Sequence, residues 1–310
     1  MSNINLTIDG KPVAVEAGTT VLQAAKKVGV DIPTLCYLDL ENTDMLCKPA
    51  SCRVCVVEVV GRRNLCPACA TPVAEGMVVK TNTLRVLEAR KTNVELMISD
   101  HPADCLVCPK SGNCELQDLA DKVGVREIRV TGKSQSTYPV SIGKALVRDM
   151  SKCIMCRRCE TMCREVQSVN ALSGVNRGFM AYVGTSFEEP LSETVCVGCG
   201  QCAAVCPVGA IMEKDDTQKV IDALLDPDKV VVFETAPATR VAIGEEFGME
   251  PGTIATGKLV TALRNLGADY VFDTDFAADL TIMEEGTELI ERIKKFIAGE
   301  EADLPLMTSC

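Results

Sequence analysis

Residues 3–8 (NINLTI) alternate polar and apolar side chains, the period of a strand with one buried face. Asp9-Gly10 is a hairpin turn signal, and Pro12 to Val15 supplies the returning strand. The period then changes. Val21, Leu22, Ala25 and Val28 fall at helical spacing, Thr19 or Thr20 is placed to cap that helix, and Gly29 stands where a glycine would end it. After a cysteine-bearing loop, Val56 to Val60 reads as a strand, Met77 to Val79 as one closing the sheet, and Thr83 to Ile98 as a helix. Between Val147 and Met212 two cysteine runs flank a connector rich in Gly, Asn and Ser, with little to build a large apolar core. Beyond Lys219, strand (Val230 to Glu234), helix (Gly257 to Leu266), strand (Tyr270 to Asp273) and helix (Ala277 to Ala298) read as the beginning of an α/β unit. The alternation stops at Leu306-Met307-Thr308-Ser309-Cys310 without a capping element, so we expect an N-terminal piece of a longer polypeptide.

Composition narrows the chemistry. The 310 residues include 18 cysteines and a single histidine, several times the ordinary share of thiols. Met1 to Gly10 has neither the basic nor the apolar region of a secretory leader, and no apolar run reaches the ~18 residues of a membrane span. In a reducing cytoplasm so many thiols point to metal ligation rather than to disulfides. With 43 acidic against 32 basic side chains the net charge is −11, which disfavours nucleic acid as a partner. No tryptophan, four tyrosines and seven phenylalanines offer few stacking platforms for bases.

Spacing sorts the cysteines. Cys36-x15-Cys52-x2-Cys55-x13-Cys69 follows the hairpin and helix and can wrap a 2Fe-2S core with two sulfurs per iron. A zinc ion would also take four sulfurs; Cys47 and Cys66 are spare, either as small buried hydrophobes or as substitutes for one of the four. His101-x3-Cys105-x2-Cys108-x5-Cys114 places the sole imidazole about one helical turn before a Cys-x2-Cys pair. Composition alone leaves zinc and a 4Fe-4S cluster both open for this group. Cys153-x2-Cys156-x2-Cys159-x3-Cys163 and Cys196-x2-Cys199-x2-Cys202-x3-Cys206-Pro207 are the bacterial ferredoxin run twice over. In such pairs the fourth cysteine serves the other cluster. One 4Fe-4S cluster would then take Cys153, Cys156, Cys159 and Cys206, and the other Cys196, Cys199, Cys202 and Cys163. Gly252-x4-Gly257-Lys258 resembles a phosphate-binding loop, but Leu259 stands where the magnesium-binding hydroxyl belongs and no strand precedes it. A flavin or nicotinamide would have to sit on a partner.

With these motifs in order, the chain resembles the N-terminal half of an iron-only (FeFe) hydrogenase large subunit. Its first ~215 residues also look like the start of the large iron-sulfur subunit of respiratory complex I. The strings APATRVAIGEEFGMEPG (236–252), TGKLVTALRNLGADYVFDTDFAADLTIMEEGTELIERI (256–293) and LPLMTSC (304–310) are similar to the opening of the hydrogenase catalytic domain. Cys-Arg-Arg-Cys (156–159), Arg-Glu-Val-Gln after Cys163 and Arg-Gly-Phe (177–179) look most like subunits of multimeric, often electron-bifurcating, NAD(P)-linked hydrogenases.

The resemblance implies an α+β multidomain chain. Residues 1–80 would be a β-grasp 2Fe-2S ferredoxin domain, 81–140 a 4Fe-4S domain with one histidine and three cysteine ligands, and 141–218 a bacterial-type domain with two 4Fe-4S clusters. Residues 219–310 would be the first part of the catalytic domain. It implies one 2Fe-2S and three 4Fe-4S clusters, an H-cluster held only by a longer protein, and Cys310 as a proton-relay cysteine. The implied partners are FMN- and NAD(P)-binding and small 2Fe-2S subunits, or ferredoxin, with electrons passing between them and hydrogen chemistry at the H-cluster. A free-standing electron-transfer subunit, or an iron-sulfur arm of a formate dehydrogenase or complex I-like assembly, are the alternatives. Loaded with clusters the chain would carry roughly −18, so a partner with a basic docking face is expected.

Overall fold

The computed structural model describes residues 3–40, 50–133 and 140–308. The chain divides into two units, residues 1–214 and 215–310.

In the first unit, β1 (Asn3–Ile8) and β2 (Lys11–Glu16) pair antiparallel, Asn3 opposite Glu16 and Ile8 opposite Lys11. Asp9 and Gly10 both take left-handed φ, 48° and 81°, which lets a two-residue turn follow the twist of the strands. The alternation buries Leu6, Ile8 and Val15. Thr20 caps α1 (Val21–Lys27): its hydroxyl accepts from the Gln23 N–H while the Gln23 side chain accepts from the Thr20 N–H, a pairing worth about 1 kcal/mol. The apolar side of α1 packs with a mixed sheet completed by β3 (Val56–Val59), β4 (Cys66–Pro67) and β5 (Val78–Lys80), in the order β2-β1-β5-β3-β4.

Next comes α2 (Leu84–Ser99), capped by Thr83. Its buried Arg90 donates from Nε and Nη2 to the Val56 carbonyl at 3.1 and 2.9 Å, and Asn93 donates to the Arg53 carbonyl at 2.7 Å. The middle of the helix is thereby fixed to β3 and to the Cys52–Cys55 loop, and its C-terminal end leads to His101. α3 (Glu115–Lys122) starts directly after Cys114, and the Glu115 N–H donates to the Pro207 carbonyl at 3.0 Å. β6 (Val140–Ile142) and β7 (Leu146–Asp149) form a hairpin that leads into α4 (Arg158–Thr161). β8 (Ser173–Val175) and β9 (Tyr182–Gly184) make a second hairpin, and α5 (Gln201–Ala204) precedes β10 (Ile211–Glu213), which joins β7 in the order β10-β7-β6.

The cysteine runs thus have a core that their composition does not advertise. Leu146, Leu172, Tyr182, Val183, Leu191, Val208 and Ile211 pack together with Leu35, Val54 and Val94 from upstream. The connector between the runs, unpatterned by sequence, supplies β8 and β9. Three-residue strands are too short to show a period, and their pairing is set by contacts distant in sequence.

In the second unit the elements are α6 (Thr217–Leu225), β11 (Val232–Thr235), α7 (Pro237–Ala242), α8 (Thr256–Asn265), β12 (Tyr270–Asp273) and α9 (Thr274–Ile297). β11 and β12 are parallel, Val232 opposite Tyr270, as strand-helix-strand alternation requires. Arg240 closes the unit with ion pairs to Asp273 and Asp275, both at 3.0 Å. Gly257 and Lys258 lie in the first turn of α8, after a loop rather than a strand. Among the described residues no helix is long and apolar enough to cross a membrane.

Candidate metal centres

Cys36 follows α1, Cys52 and Cys55 flank the turn before β3, and Cys69 follows β4; the folded sheet brings the four together. The turn is made by Arg53 in left-handed conformation, φ 57°. The Cys55 and Cys69 sulfurs are within hydrogen-bonding distance, 3.2 Å. Mutual hydrogen bonding divides the set. Bonds from Cys52 and Cys69 hold the Cys36 thiol far below its usual range, and Cys69 draws Cys55 down to about 7. Cys52 is pushed up by its bond to Cys36, and Cys69 by its bonds to Cys36 and Cys55. Four sulfurs competing for protons in one largely buried place suit a positively charged core that replaces those protons. Cys66 is buried too, but its sulfur accepts from Arg62 Nη1 at 3.4 Å on the β4 side of the sheet. Cys47 lies outside the described residues, as does Cys310.

His101, Cys105, Cys108 and Cys114 line one cavity of 230 Å³, walled by Ile98, Leu116 and Gly209 among others. Burial holds the imidazole below its ordinary pKa, so it is neutral at pH 7, and its buried Nδ1 has no hydrogen-bond partner. A neutral, unsatisfied imidazole with three thiols around a walled space fits a bound cluster. Among the described residues no three His, Cys, Asp or Glu side chains draw in to single-ion spacing.

The two ferredoxin-type runs wrap in the same way. Met155 and Arg157 are left-handed in the first (φ 54° and 63°), and Gly198 and Gly200 are left-handed at the equivalent positions of the second (69° and 75°). This winding turns backbone amides onto sulfur: Met155 N–H donates to Cys153 and Gly198 N–H to Cys196, both at 3.5 Å, and Ala171 N–H to Cys163 at 3.2 Å. Cys163 lines the same pocket as Cys196, Cys199 and Cys202. Cys206 is electrostatically coupled instead to Cys153, Cys156 and Cys159. Burial pushes Cys156 up to about 12 and Cys202 to about 11, and raises Cys153 and Cys159 in the same direction. Protonated thiols packed this tightly ionise when metal displaces the protons.

Three neighbours of these sulfurs were given no role at the site by the sequence. Arg158, between Cys156 and Cys159 in the chain, is buried and makes a two-point ion pair with Glu115 at 2.6 and 2.8 Å. Its charge is also felt by Cys156 and Cys36. Buried Lys152 pairs with Asp104 at 3.3 Å and Asp149 at 3.4 Å, next to Cys108. Gly209 passes so close to Cys108 that a Cβ there would stand 2.9 Å from its sulfur. Only the fold brings residues 108, 152 and 209 together.

Residues 1–84 match the family described as 2Fe-2S iron-sulfur cluster binding domain, and residues 90–129 the NADH-ubiquinone oxidoreductase-G iron-sulfur binding region. Residues 143–212 match the NADH-quinone oxidoreductase subunit 3 ferredoxin-like domain, and residues 229–310 the C-terminal domain of iron only hydrogenase large subunits. The NADP-reducing hydrogenase subunit HndD of Solidesulfovibrio fructosivorans is 60% identical over 311 residues, covering 100% of this chain and 53% of that protein. Iron hydrogenase 1 of Clostridium pasteurianum is 36% identical, covering 98% of this chain and 52% of its own length. The chain therefore spans about half the length of these curated relatives. A chain of the NAD+-reducing [NiFe]-hydrogenase in the H2-reduced state superposes with a TM-score of 0.61 at 28% identity, over 69% of this chain and 88% of that one.

Proposed function

Because the chain belongs to the family of iron-only hydrogenase large subunits and spans its iron-sulfur half, we propose that it conducts single electrons between a flavin- and NAD(P)-binding partner, or ferredoxin, and a hydrogen-activating H-cluster. Four clusters are assigned: a 2Fe-2S cluster on Cys36, Cys52, Cys55 and Cys69, and a 4Fe-4S cluster on His101, Cys105, Cys108 and Cys114. Two further 4Fe-4S clusters take Cys153, Cys156, Cys159 and Cys206, and Cys196, Cys199, Cys202 and Cys163. The observation that carries this reading is that Cys163, the fourth cysteine of the first run, lines the same pocket as Cys196, Cys199 and Cys202, which supports an exchange of fourth cysteines between the runs. Paired zinc sites can also interleave their ligands, so it is the ferredoxin spacing of the two runs that favours iron-sulfur clusters over zinc.

Bound iron-sulfur clusters would accept and release one electron at a time. The residues of the chain hold the sulfurs, turn amide N–H groups toward them, and place the sites side by side. Arg158, within reach of both Cys36 and Cys156, joins the surroundings of the 2Fe-2S site to those of the first run. Gly209 brings the second run's return strand onto Cys108. The helix laid on a mixed sheet in residues 3–80 supports the β-grasp reading of the first domain. The divisions 1–80, 81–140, 141–218 and 219–310, the cytoplasmic location and the relay role of Cys310 belong to the same proposal.

Anaerobic purification followed by iron and sulfide analysis tests it. About 14 irons per chain are expected for one 2Fe-2S and three 4Fe-4S clusters; dominant zinc would overturn the assignment. Electron transfer from the reduced protein to NADP+ should then require the flavin-bearing partner.

A further inference from the structure

Arg148 occupies the middle of β7, where strand alternation turns it to the same buried side as Leu146. It is only 5% exposed. A guanidinium stays charged in a protein, and a buried charge is costly unless it is paired. Arg148 forms no ion pair among the described residues. Nη2 donates to the Val183 carbonyl at 2.9 Å, and the buried Nε has no partner. The other cations buried around the two runs are provided for, Arg158 by Glu115 and Lys152 by Asp104 and Asp149.

The ionisable groups within electrostatic reach of Arg148 are mainly cysteines. Cys153 and Cys159 of the first run and Cys202 of the second are the ionisable groups that act on it, with the Tyr182 hydroxyl. The Val183 backbone, whose carbonyl accepts from Arg148, also lies near enough to the Cys153 thiol to act against the upward push of burial on it. Burial pushes the Arg148 pKa down, as expected of a cation whose counter-charge is not supplied by carboxylates.

We propose that Arg148 is a fixed counter-charge shared by the two 4Fe-4S sites of the ferredoxin-type runs, favouring the more negative, reduced state of both. The proposal rests on the cluster assignment above. Reduction adds one electron, taken from a neighbouring site or a chemical reductant, to a site that is already anionic. No bond forms and no proton moves. A positive charge held in a low-dielectric surrounding lowers the energy of that added charge.

The test is a dithionite redox titration followed by EPR on the cluster-loaded protein carrying Arg148→Met, Arg148→Gln or Arg148→Lys. The two neutral variants are expected to lower both midpoints so that the reduced-to-oxidised ratio at fixed potential falls about tenfold, or about 59 mV for one electron. Arg148→Lys keeps the charge and should shift less than half as far. The 2Fe-2S midpoint serves as internal reference. Unmoved midpoints in a neutral variant with full iron content, equal shifts for Lys and Met, or an equal shift of the 2Fe-2S site would each overturn the proposal. If the neutral variants lose iron and Arg148→Lys keeps it, the charge is needed at assembly and the proposal stands. Loss in all three overturns it, since shape and not charge is then required. A wild-type protein without 4Fe-4S signals would instead defeat the cluster assignment itself.

Discussion

Substituting Gly209 by alanine should separate the metal-free and cluster-loaded proteins. The added Cβ would lie 2.9 Å from the Cys108 sulfur and 3.6 Å from both Lys110 Cβ and Lys152 Cδ. Only the first is a clash, since relaxed contacts between heavy atoms lie at about 3.5–4.0 Å. Without metal the Cys108 side chain can turn aside on its one torsion, at about 0.5–1.5 kcal/mol. The loss of unfolded-state freedom on replacing glycine offsets about 0.4–1 kcal/mol of that. Metal-free protein should therefore be nearly as stable as wild type. Once the sulfur is held by a cluster it cannot rotate, and the same methyl becomes overpacking of about 1–3 kcal/mol. The difference, about 1–2 kcal/mol, corresponds to roughly a tenfold weaker hold on that cluster. Urea unfolding of both forms, with the histidine-site EPR signal followed against chelator, measures it. Equal destabilisation in the two forms, or a loaded variant indistinguishable from wild type, would show that the Cys108 sulfur is not anchored.

Gly200→Ala places a side chain at φ 75° and should cost about 1–2 kcal/mol by urea unfolding, with no steric clash to explain it. Met155→Gly, at the position of the first run equivalent to Gly198, should cost nothing measurable, because relief of the left-handed strain offsets the added chain freedom. Arg129 holds the Glu95 carboxyl below the usual carboxylate range, first through its side-chain hydrogen bonds. That stabilisation is present above the unfolded value of about 4.3 and disappears as pH falls through the lower folded value. Glu95→Gln should accordingly flatten the acid limb of stability against pH; parallel limbs in the two proteins would refute the pairing. Replacing His101 by cysteine exchanges a neutral ligand for a thiolate and should move that site's midpoint to more negative potential in a redox titration. Arg90→Met leaves the Val56 carbonyl without its donors and should destabilise the protein by about 1–3 kcal/mol in thermal unfolding.

The opening hairpin, α1 and α2 were legible because each carries its own period and its own punctuation, Asp9-Gly10 in one case and Thr20 or Thr83 in the others. The grouping of sulfurs was legible for a related reason. Ligand spacing is a local property, and Cys-x2-Cys survives in sequence whatever lies around it. Arg148, Lys152 and Gly209 were not legible. The role of each depends on Val183, Asp104 or Cys108, which lie 35, 48 and 101 positions away, and nothing local records that approach. The sheet β10-β7-β6 was hidden likewise, since Ile211 meets Arg148 across more than sixty residues. The Gly252 to Lys258 string shows the converse failure, a local pattern without the strand that would give it meaning.

One consequence concerns where this polypeptide can be cut. Leu35 and Val54, which belong by sequence to the first domain, are fully buried in the core that supports the later cysteine runs, together with Val94 and Cys114. Excising residues 1–80 as a portable redox cassette would strip apolar lining from the remainder and leave both halves with raw surfaces. The seam offered by the fold lies between Lys214 and Asp215, where one compact unit ends and the next begins. A designer recombining the first unit with a different catalytic partner would do best to splice at that seam.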